Sequence, residues 1–140
     1  MSEKVKYIFN PFSENFDAVN THSKAVSDLR NCLTSVAVGD IVMESNIITN
    51  GVDSTIDNND VRPAIGIVIN KPSTTTCEVL FVGTVGGFTG LSKGMKIYLD
   101  TDGTITSVAV SSGYLQCLGT ARDADTVDFN PQLNRVKRTP

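Results

Sequence analysis

The side chains with the strongest nucleophilic or metal-binding chemistry in this sequence are three cysteines and one histidine. Cys32, Cys77 and Cys117 are far apart and form no C-x-x-C pair, and His22 stands in a polar stretch. Structural zinc sites use closely spaced ligand pairs, and a catalytic thiol needs a histidine beside it. The spacing therefore indicates reduced cysteines that pack as small hydrophobic residues, and we predict neither a metal site nor a catalytic cysteine.

Paired carboxylates are the second candidate chemistry. The pairs are Asp57 and Asp60, Asp100 and Asp102, and Asp123 and Asp125. Each pair stands in a predicted turn, where Asp side chains accept hydrogen bonds from nearby backbone N–H groups. The last pair, extended by Asp128, lacks the Gly and Glu positions of an EF-type calcium loop. We interpret all three pairs as solvated turns, and we predict that the protein is not an enzyme and uses no cofactor.

A glycine-rich stretch over residues 82–90, V-G-T-V-G-G-F-T-G, has the look of a phosphate-binding loop. A dinucleotide fingerprint must open a helix, because the helix N-terminus binds the pyrophosphate. No helical pattern follows here, and the G-K-[ST] ending of a Walker loop is missing. These glycines are therefore expected to serve turns and bulges between strands.

The composition predicts one ordinary domain with a real core. The chain has 140 residues, of which 40% are hydrophobic and 19% charged, and its net charge is −3. This balance argues against a nucleic-acid binder of the basic-patch kind. No apolar run approaches the roughly 20 residues of a membrane helix, and the first residues, MSEKVKYIF, lack the apolar region of a signal peptide. We expect no nucleic acid and no membrane among the partners.

Residues 21–35 are the only helix candidate. Apolar side chains recur there at helical spacing and would share one face; they are Ala25, Val26, Leu29, Cys32 and Leu33. Because a helix of about three turns is marginal alone, it must dock on something. We predict that Val26, Leu29 and Leu33 pack between copies of the chain in an oligomer.

Residues 36–131 are predicted to form a mainly β domain of seven or eight short strands. Asn50-Gly51 and Asp102-Gly103 are hairpin turn signals. Alternation places Ile65, Ile67 and Ile69 on one face of a strand. Turn signals at such close intervals predict a small antiparallel β-barrel or β-sandwich. The basic tail, residues 132–140, is expected to be loose.

One strand in this domain is predicted to be covered on both faces. Cys77, Val79 and Phe81 alternate with Leu80 and Val82. Because both sets are apolar, we expect a central strand between two packed layers.

Residues 1–20 are expected to form an extended arm. Within them, residues 7–17 read Y-I-F-N-P-F-S-E-N-F-D, which resembles the Y-x-(Y/F)-N-P-F-(T/S)-x-x-(F/L)-D segment near the N-terminus of small tailed-bacteriophage structural proteins. The candidate anchor residues are Tyr7, Phe9, Asn10, Pro11, Phe12, Phe16 and Asp17. Pro11 fixes its own φ and biases the preceding residue toward extended backbone, so the neighbouring rings project from an arm.

A second stretch carries the same resemblance. L-S-K-G-M-K-I-Y-L at residues 91–99, D-G-T-I-T at 102–106 and G-Y-L-Q-C-L-G-T-A at 113–121 are similar to a pattern in β-domains of phage tail, fibre and capsid-appendage proteins. The resemblance implies a virion structural protein: a head fibre, a capsid decoration or a tail-associated knob. It implies synthesis in the host bacterial cytoplasm and location in the virion.

Two questions about partners stay open at this stage. The resemblance implies docking on other virion proteins (capsid, portal, neck or tail) and a homo-oligomer, for which a trimer would suit a fibre or capsid-surface role. The arm either docks on such a neighbour or folds back as an extra strand on its own domain. The alternative function is a receptor- or glycan-binding phage tip, ranked second because the chain has no Trp.

Overall fold

A computed structural model describes residues 25–139 and shows a mainly β protein with no helix in that range, which confirms the predicted fold class at this level. The predicted arm, residues 1–20, lies outside the described residues. The strands are β1 (Val26–Cys32), β2 (Ile41–Glu44), β3 (Gly51–Ser54), β4 (Ala64–Ser73), β5 (Thr76–Gly86), β6 (Lys96–Leu99), β7 (Ile105–Thr106), β8 (Gly113–Leu115), β9 (Cys117–Ala121), β10 (Thr126–Phe129) and β11 (Val136–Arg138).

The helix predicted over residues 21–35 is wrong where the chain is described, because residues 26–32 form β1. This strand pairs with β5 in antiparallel register and with β3 in parallel register. Its burial has a period of two at its C-terminal end, where Arg30 and Cys32 are buried and Asn31 is exposed. A three-turn helix gains little by itself, so two ladders of backbone hydrogen bonds outweigh the local helical pattern.

Nine strands form one sheet in the order β1-β3-β2-β4-β5-β10-β9-β6-β7. Because β1 also pairs with β5, the pairings among the first five strands return to their starting point. All pairs are antiparallel except β1–β3. Strand β5 is the longest and belongs to both halves of the sheet. Its residues between 76 and 82 pair with β1, and those between 76 and 80 also pair with β4. Residues 83–86 pair with β10.

Two hydrophobic cores result from this arrangement. The first lies among the first five strands and contains Cys32, Val36, Val42, Val52, Val68, Cys77 and Val79. The second joins Ile41, Ala64, Ile67 and Leu80 to residues of the other half, namely Ile97, Leu99, Leu118, Ala121, Val127 and Phe129. The two halves of the sheet are therefore held together by the second core.

The predicted central strand is confirmed as β5. Cys77, Val79 and Phe81 belong to or pack on the first core, and Leu80 belongs to the second. The exception is Val82, which is 37% exposed.

The predicted common face of three isoleucines in β4 is wrong for one of them. Ile65 packs against the first core, whereas Ile67 and Ile69 belong to or pack on the second. An irregularity in the β2–β4 ladder pairs Val42 with Gly66 and Met43 with Ala64, so one extra β4 residue shifts the alternation.

The predicted turns are present. Asn50 has a φ of 52° and ends the connection between the paired strands β2 and β3. At Asp102-Gly103, between β6 and β7, the amide of Asp100 donates to the carbonyl of Thr104 at 2.7 Å.

The expectation of a loose C-terminal tail is wrong at residues 136–138. These residues form β11, which pairs with β8 as a separate two-stranded sheet. Arg135, the residue before β11, holds this strand in place, because its guanidinium donates hydrogen bonds to the backbone carbonyls of Asp60 and Val61. Residues 25–139 contain no helix that could cross a membrane.

Candidate functional site

The residues predicted to mediate assembly fall into two groups. The anchor residues from Tyr7 to Asp17 lie outside the described residues. Val26, Leu29 and Leu33 are described, and they lie in or directly after β1 rather than on a helix. Their exposed fractions are 53%, 55% and 55%, so the structure leaves this apolar surface at the protein exterior. Across the β1–β5 ladder Val26 pairs with Val82, which extends the exposed apolar surface.

A cleft of about 590 Å³ lies among residues 25–139. Four segments line it: residues 39–41 and 54–56 from the first half of the sheet, and residues 87–91 (without Gly90) and 102–105 from the second. The cleft thus lies where the two halves meet, at the ends of strands β2, β3 and β5 and at the β6–β7 turn. Its volume falls within the range of small-molecule sites.

Two carboxylates on the cleft wall are held in place by nearby donors. One oxygen of Asp40 accepts hydrogen bonds from the Ala37 amide at 3.0 Å and the Ser54 hydroxyl at 2.8 Å. One oxygen of Asp102 accepts from the hydroxyl and the amide of Thr104. These bonds, the hydroxyl's first, hold the pKa of Asp102 below its ordinary value. Asp102 is therefore ionised at neutral pH.

The two halves of the sheet are locked together beneath the cleft by Thr55 and Gly103. The Thr55 hydroxyl lies 2.8 Å from the carbonyl oxygen of Gly103 and 3.0 Å from that of Ile41. Gly103 has a φ of +83°, and a Cβ there would lie 2.5 Å from the carbonyl oxygen of Thr55. Only glycine combines this conformation with so close an approach. The turn is therefore fixed against the end of β3.

Apolar side chains complete the lining. Phe88, Leu91 and Ile105 are half-buried and pack on the second core, so their outer parts face the cleft. Ile56 stands at the edge and is 79% exposed. Hydroxyl groups of Ser54, Thr55, Thr89 and Thr104 lie among them. The cleft therefore combines apolar surface with hydroxyls and carboxylates.

Within the described part of the chain, the residues that line the cleft include no Cys, His, Lys or Arg. The cleft accordingly lacks a thiol or imidazole for nucleophilic chemistry and a cation for binding phosphate. Within residues 25–139, no group of three or more His, Cys, Asp or Glu side chains is placed to hold a metal ion.

The sequence predicts only turns or loops for two of these segments. Asp102 and the glycine-rich residues 87–90 do occupy turns or loops, but the fold brings them opposite residues 39–41 and 54–56. No local signal in the sequence predicts this meeting, because the facing segments are separated by 30 or more residues and meet only when the second core forms and Thr55 bonds to Gly103.

The cysteines pack largely as the sequence predicts. Cys32 and Cys77 are buried in the first core, and Cys117 is half-buried. Burial, with a further contribution from Cys32, raises the pKa of Cys77 to about 11. A thiol with so high a pKa is a poor nucleophile at neutral pH.

No protein-family model matches this sequence, and a search of the curated proteins finds no match.

Proposed function

We propose that the protein is a structural component of a tailed-bacteriophage particle, as a head fibre, capsid decoration or tail-associated knob, and that its N-terminal arm docks on a neighbouring virion protein. The observation that carries the proposal is that an aromatic segment and an exposed apolar surface follow each other along the chain. The phage-like aromatic segment, residues 7–17, is followed a few residues later by β1 and the residue after it, where Val26, Leu29 and Leu33 are each more than half exposed. Exposed apolar surface next to an aromatic segment in the sequence favours assembly with other chains over a monomer.

The arm supplies the anchors in this proposal. A fully buried Phe side chain contributes roughly 1.5–3 kcal/mol, and an aromatic ring loses few torsions on ordering. Phe9 and Phe12 flank Asn10-Pro11, which favours extended backbone. Two buried rings of this kind would contribute a large part of the affinity for a capsid, portal, neck or tail protein.

The exposed apolar residues of β1 are the proposed contact between copies of the chain. Val26, Leu29 and Leu33 retain the oligomer role predicted from the sequence, now in β1 and directly after it rather than on a helix. We further infer that the first five strands form a small barrel on which the second half folds, with a homo-oligomer, such as a trimer, presenting these domains on the virion. The cyclic pairing of β1 to β5 supports this description.

The anchor proposal is tested with particles of a phage whose genome encodes this chain. Mass spectrometry of purified particles should detect the protein, and the double variant Phe9→Ala/Phe12→Ala should be missing from them while keeping the wild-type Tm. The matched control is Glu14→Ala/Asn15→Ala in the same segment, which should incorporate normally. Incorporation of the Phe variant at normal copy number would overturn the proposal. A large fall in its Tm would instead make the arm a strand of its own domain.

The oligomer contact is tested separately by light scattering of the purified protein. The wild type should be larger than a monomer, and Leu29→Lys should dissociate it, because a charge replaces an apolar contact. Val108→Lys, at a 70% exposed position away from β1, is the control and should leave the assembly intact. A monomeric wild type at high concentration contradicts this contact.

A further inference from the structure

We propose that the cleft between the two halves of the sheet binds an uncharged, hydroxyl-rich carbohydrate. The proposal assigns the described part of the chain a ligand site and does not depend on arm docking. It rests on four features of the cleft: its charge, its hydrogen-bonding groups, its apolar surface and its rigidity.

The charge of the cleft selects against anionic ligands. Among residues 25–139, Asp40 and Asp102 are the only ionisable residues that line it, and no Lys, Arg or His of this range does. A phosphate, sulfate or carboxylate group entering the cleft would meet two negative charges without a compensating cation. Nucleotides, nucleic acids and acidic polysaccharides are therefore disfavoured.

The hydrogen-bonding groups match sugar hydroxyls. An ionised carboxylate accepts up to about four hydrogen bonds, and those it accepts are stronger than bonds between neutral groups. At both Asp40 and Asp102 the local donors bond to only one of the two oxygens within the described chain, which leaves acceptor capacity. The hydroxyls of Thr89 and Thr104, both exposed, can donate or accept. A sugar ring presents such donors and acceptors around its edge.

The apolar side chains supply the second half of carbohydrate recognition. Phe88 is half-buried, packed on the second core and in contact with the cleft. The electron-rich face of an aromatic ring attracts the weakly positive C–H groups on the face of a sugar ring. Leu91 and Ile105 extend this apolar surface. A ligand with polar edges and an apolar face therefore fits better than a purely apolar one.

The cleft is also preorganised. Gly103 and Thr55 lock the β6–β7 turn onto β3, and Thr104 orients Asp102. On the opposite wall, Ser54 orients Asp40. A site whose polar groups are already fixed loses less entropy when a flexible oligosaccharide binds.

The probe is a microarray of bacterial oligosaccharides in two sets: neutral hexose and N-acetylhexosamine oligomers, and anionic oligomers carrying phosphate, sulfate or uronate. We expect binding within the neutral set only. The strongest neutral oligosaccharide is then titrated by calorimetry against the wild type, Phe88→Ala, Asp102→Asn and the control Asp123→Asn. Asp123 is a carboxylate on another turn, with its own ion pair to Lys93 at 3.7 Å. We expect at least a tenfold loss of affinity for the first two variants and none for the control, with all Tm values measured.

Three results would overturn the proposal. They are no binding in the neutral set, binding confined to the anionic set, and wild-type affinity in both cleft variants. If the cleft variants lose affinity but also have a lower Tm, Thr89→Val separates the two effects. This variant changes an exposed hydroxyl and should weaken binding at unchanged Tm. Wild-type affinity in Thr89→Val would then also contradict the proposal. The arm variant Phe9→Ala/Phe12→Ala should bind the oligosaccharide normally, so failure of this proposal is distinguishable from failure of arm docking.

Discussion

At the scale of single residues, Gln116 shows how one polar side chain can join elements that are remote in sequence. It is completely buried. Its Oε1 accepts a hydrogen bond from the Ala64 amide at 3.0 Å, and its Nε2 donates to the carbonyls of Ala64 at 2.8 Å and Gln132 at 2.9 Å. The side-chain amide thus pairs with Ala64 as a backbone peptide of a neighbouring strand would. It ties β4 to the segment that precedes β11.

Gln116→Ala should lower the free energy of unfolding by about 3 kcal/mol or more. The substitution leaves one amide and two carbonyls without their partner, and each buried unsatisfied group costs roughly 1–3 kcal/mol. Urea denaturation measures the change. Gln132→Ala is the matched control, since only the backbone carbonyl of Gln132 takes part. It should stay within about 0.5 kcal/mol of the wild type. A loss below 1 kcal/mol for Gln116→Ala would contradict this role.

The sequence predicts on which face of the chain the Gln116 side chain lies, but not its hydrogen-bond partners. Alternation in residues 113–121 places Gln116 on the same face as Leu118, and both are fully buried. Ala64, however, is 52 residues away along the chain. A pattern of period two specifies a face, whereas the partner on that face depends on how the sheet folds back.

At the scale of elements, the local sequence patterns give wrong predictions for β1 and β11. In β1, apolar residues at helical spacing coincide with a segment that the sheet uses on two sides, by pairing with β3 and β5. In β11, a basic segment that looks solvated is drawn into a strand by Arg135 and by contacts to Tyr114. Both errors come from partners distant in sequence, which no window of ten residues contains.

Arg135→Lys should lower the free energy of unfolding by about 1–2 kcal/mol. The guanidinium carbon lies 3.9 Å from the centre of the Tyr114 ring, and its nitrogens donate to carbonyls of the loop before β4. Lysine keeps the charge but cannot make a planar fork of donors while stacking on the ring. Thermal unfolding checks this, with Arg138→Lys, an exposed residue of β11, as the control. Equal Tm values for the two variants would refute the docking role of Arg135.

At the scale of the whole molecule, the sequence predicts a mainly β fold, the central strand and two of the hairpins, but neither the second core nor the cleft. Strand existence follows from alternation and turn residues, which are local. The cleft requires that residues 39–41 face residues 102–105, and this depends on the order of nine strands. The same reasoning explains why Asp102 reads as a turn residue in the sequence and as a cleft residue in the fold.

The stability of the whole domain should depend on pH through the carboxylate of Asp60, which lies beside Arg62. Its guanidinium lies 2.8 Å from a carboxylate oxygen of Asp53 and 2.9 Å from one of Asp60. The side-chain hydrogen bonds from Arg62, followed by its backbone amide, hold the pKa of Asp60 below its ordinary value of 3.8. A carboxyl whose pKa is lower in the folded state stabilises the fold above its unfolded pKa, and this contribution disappears as the pH falls through the folded value.

We therefore expect the Tm of the wild type to be level between pH 7 and about 5 and to fall below that. Asp60→Asn should unfold at a lower temperature than the wild type at pH 7, because it cannot form the charged pair. The difference should begin to shrink as the pH falls below 3.8 and should disappear below the lowered pKa of the folded state, where the wild-type carboxyl is also neutral. Arg62→Gln, which removes the shared partner, should flatten the profile in the same way. A difference between the wild type and Asp60→Asn that stays constant down to pH 2 would show that Asp60 acts through packing and not through its charge.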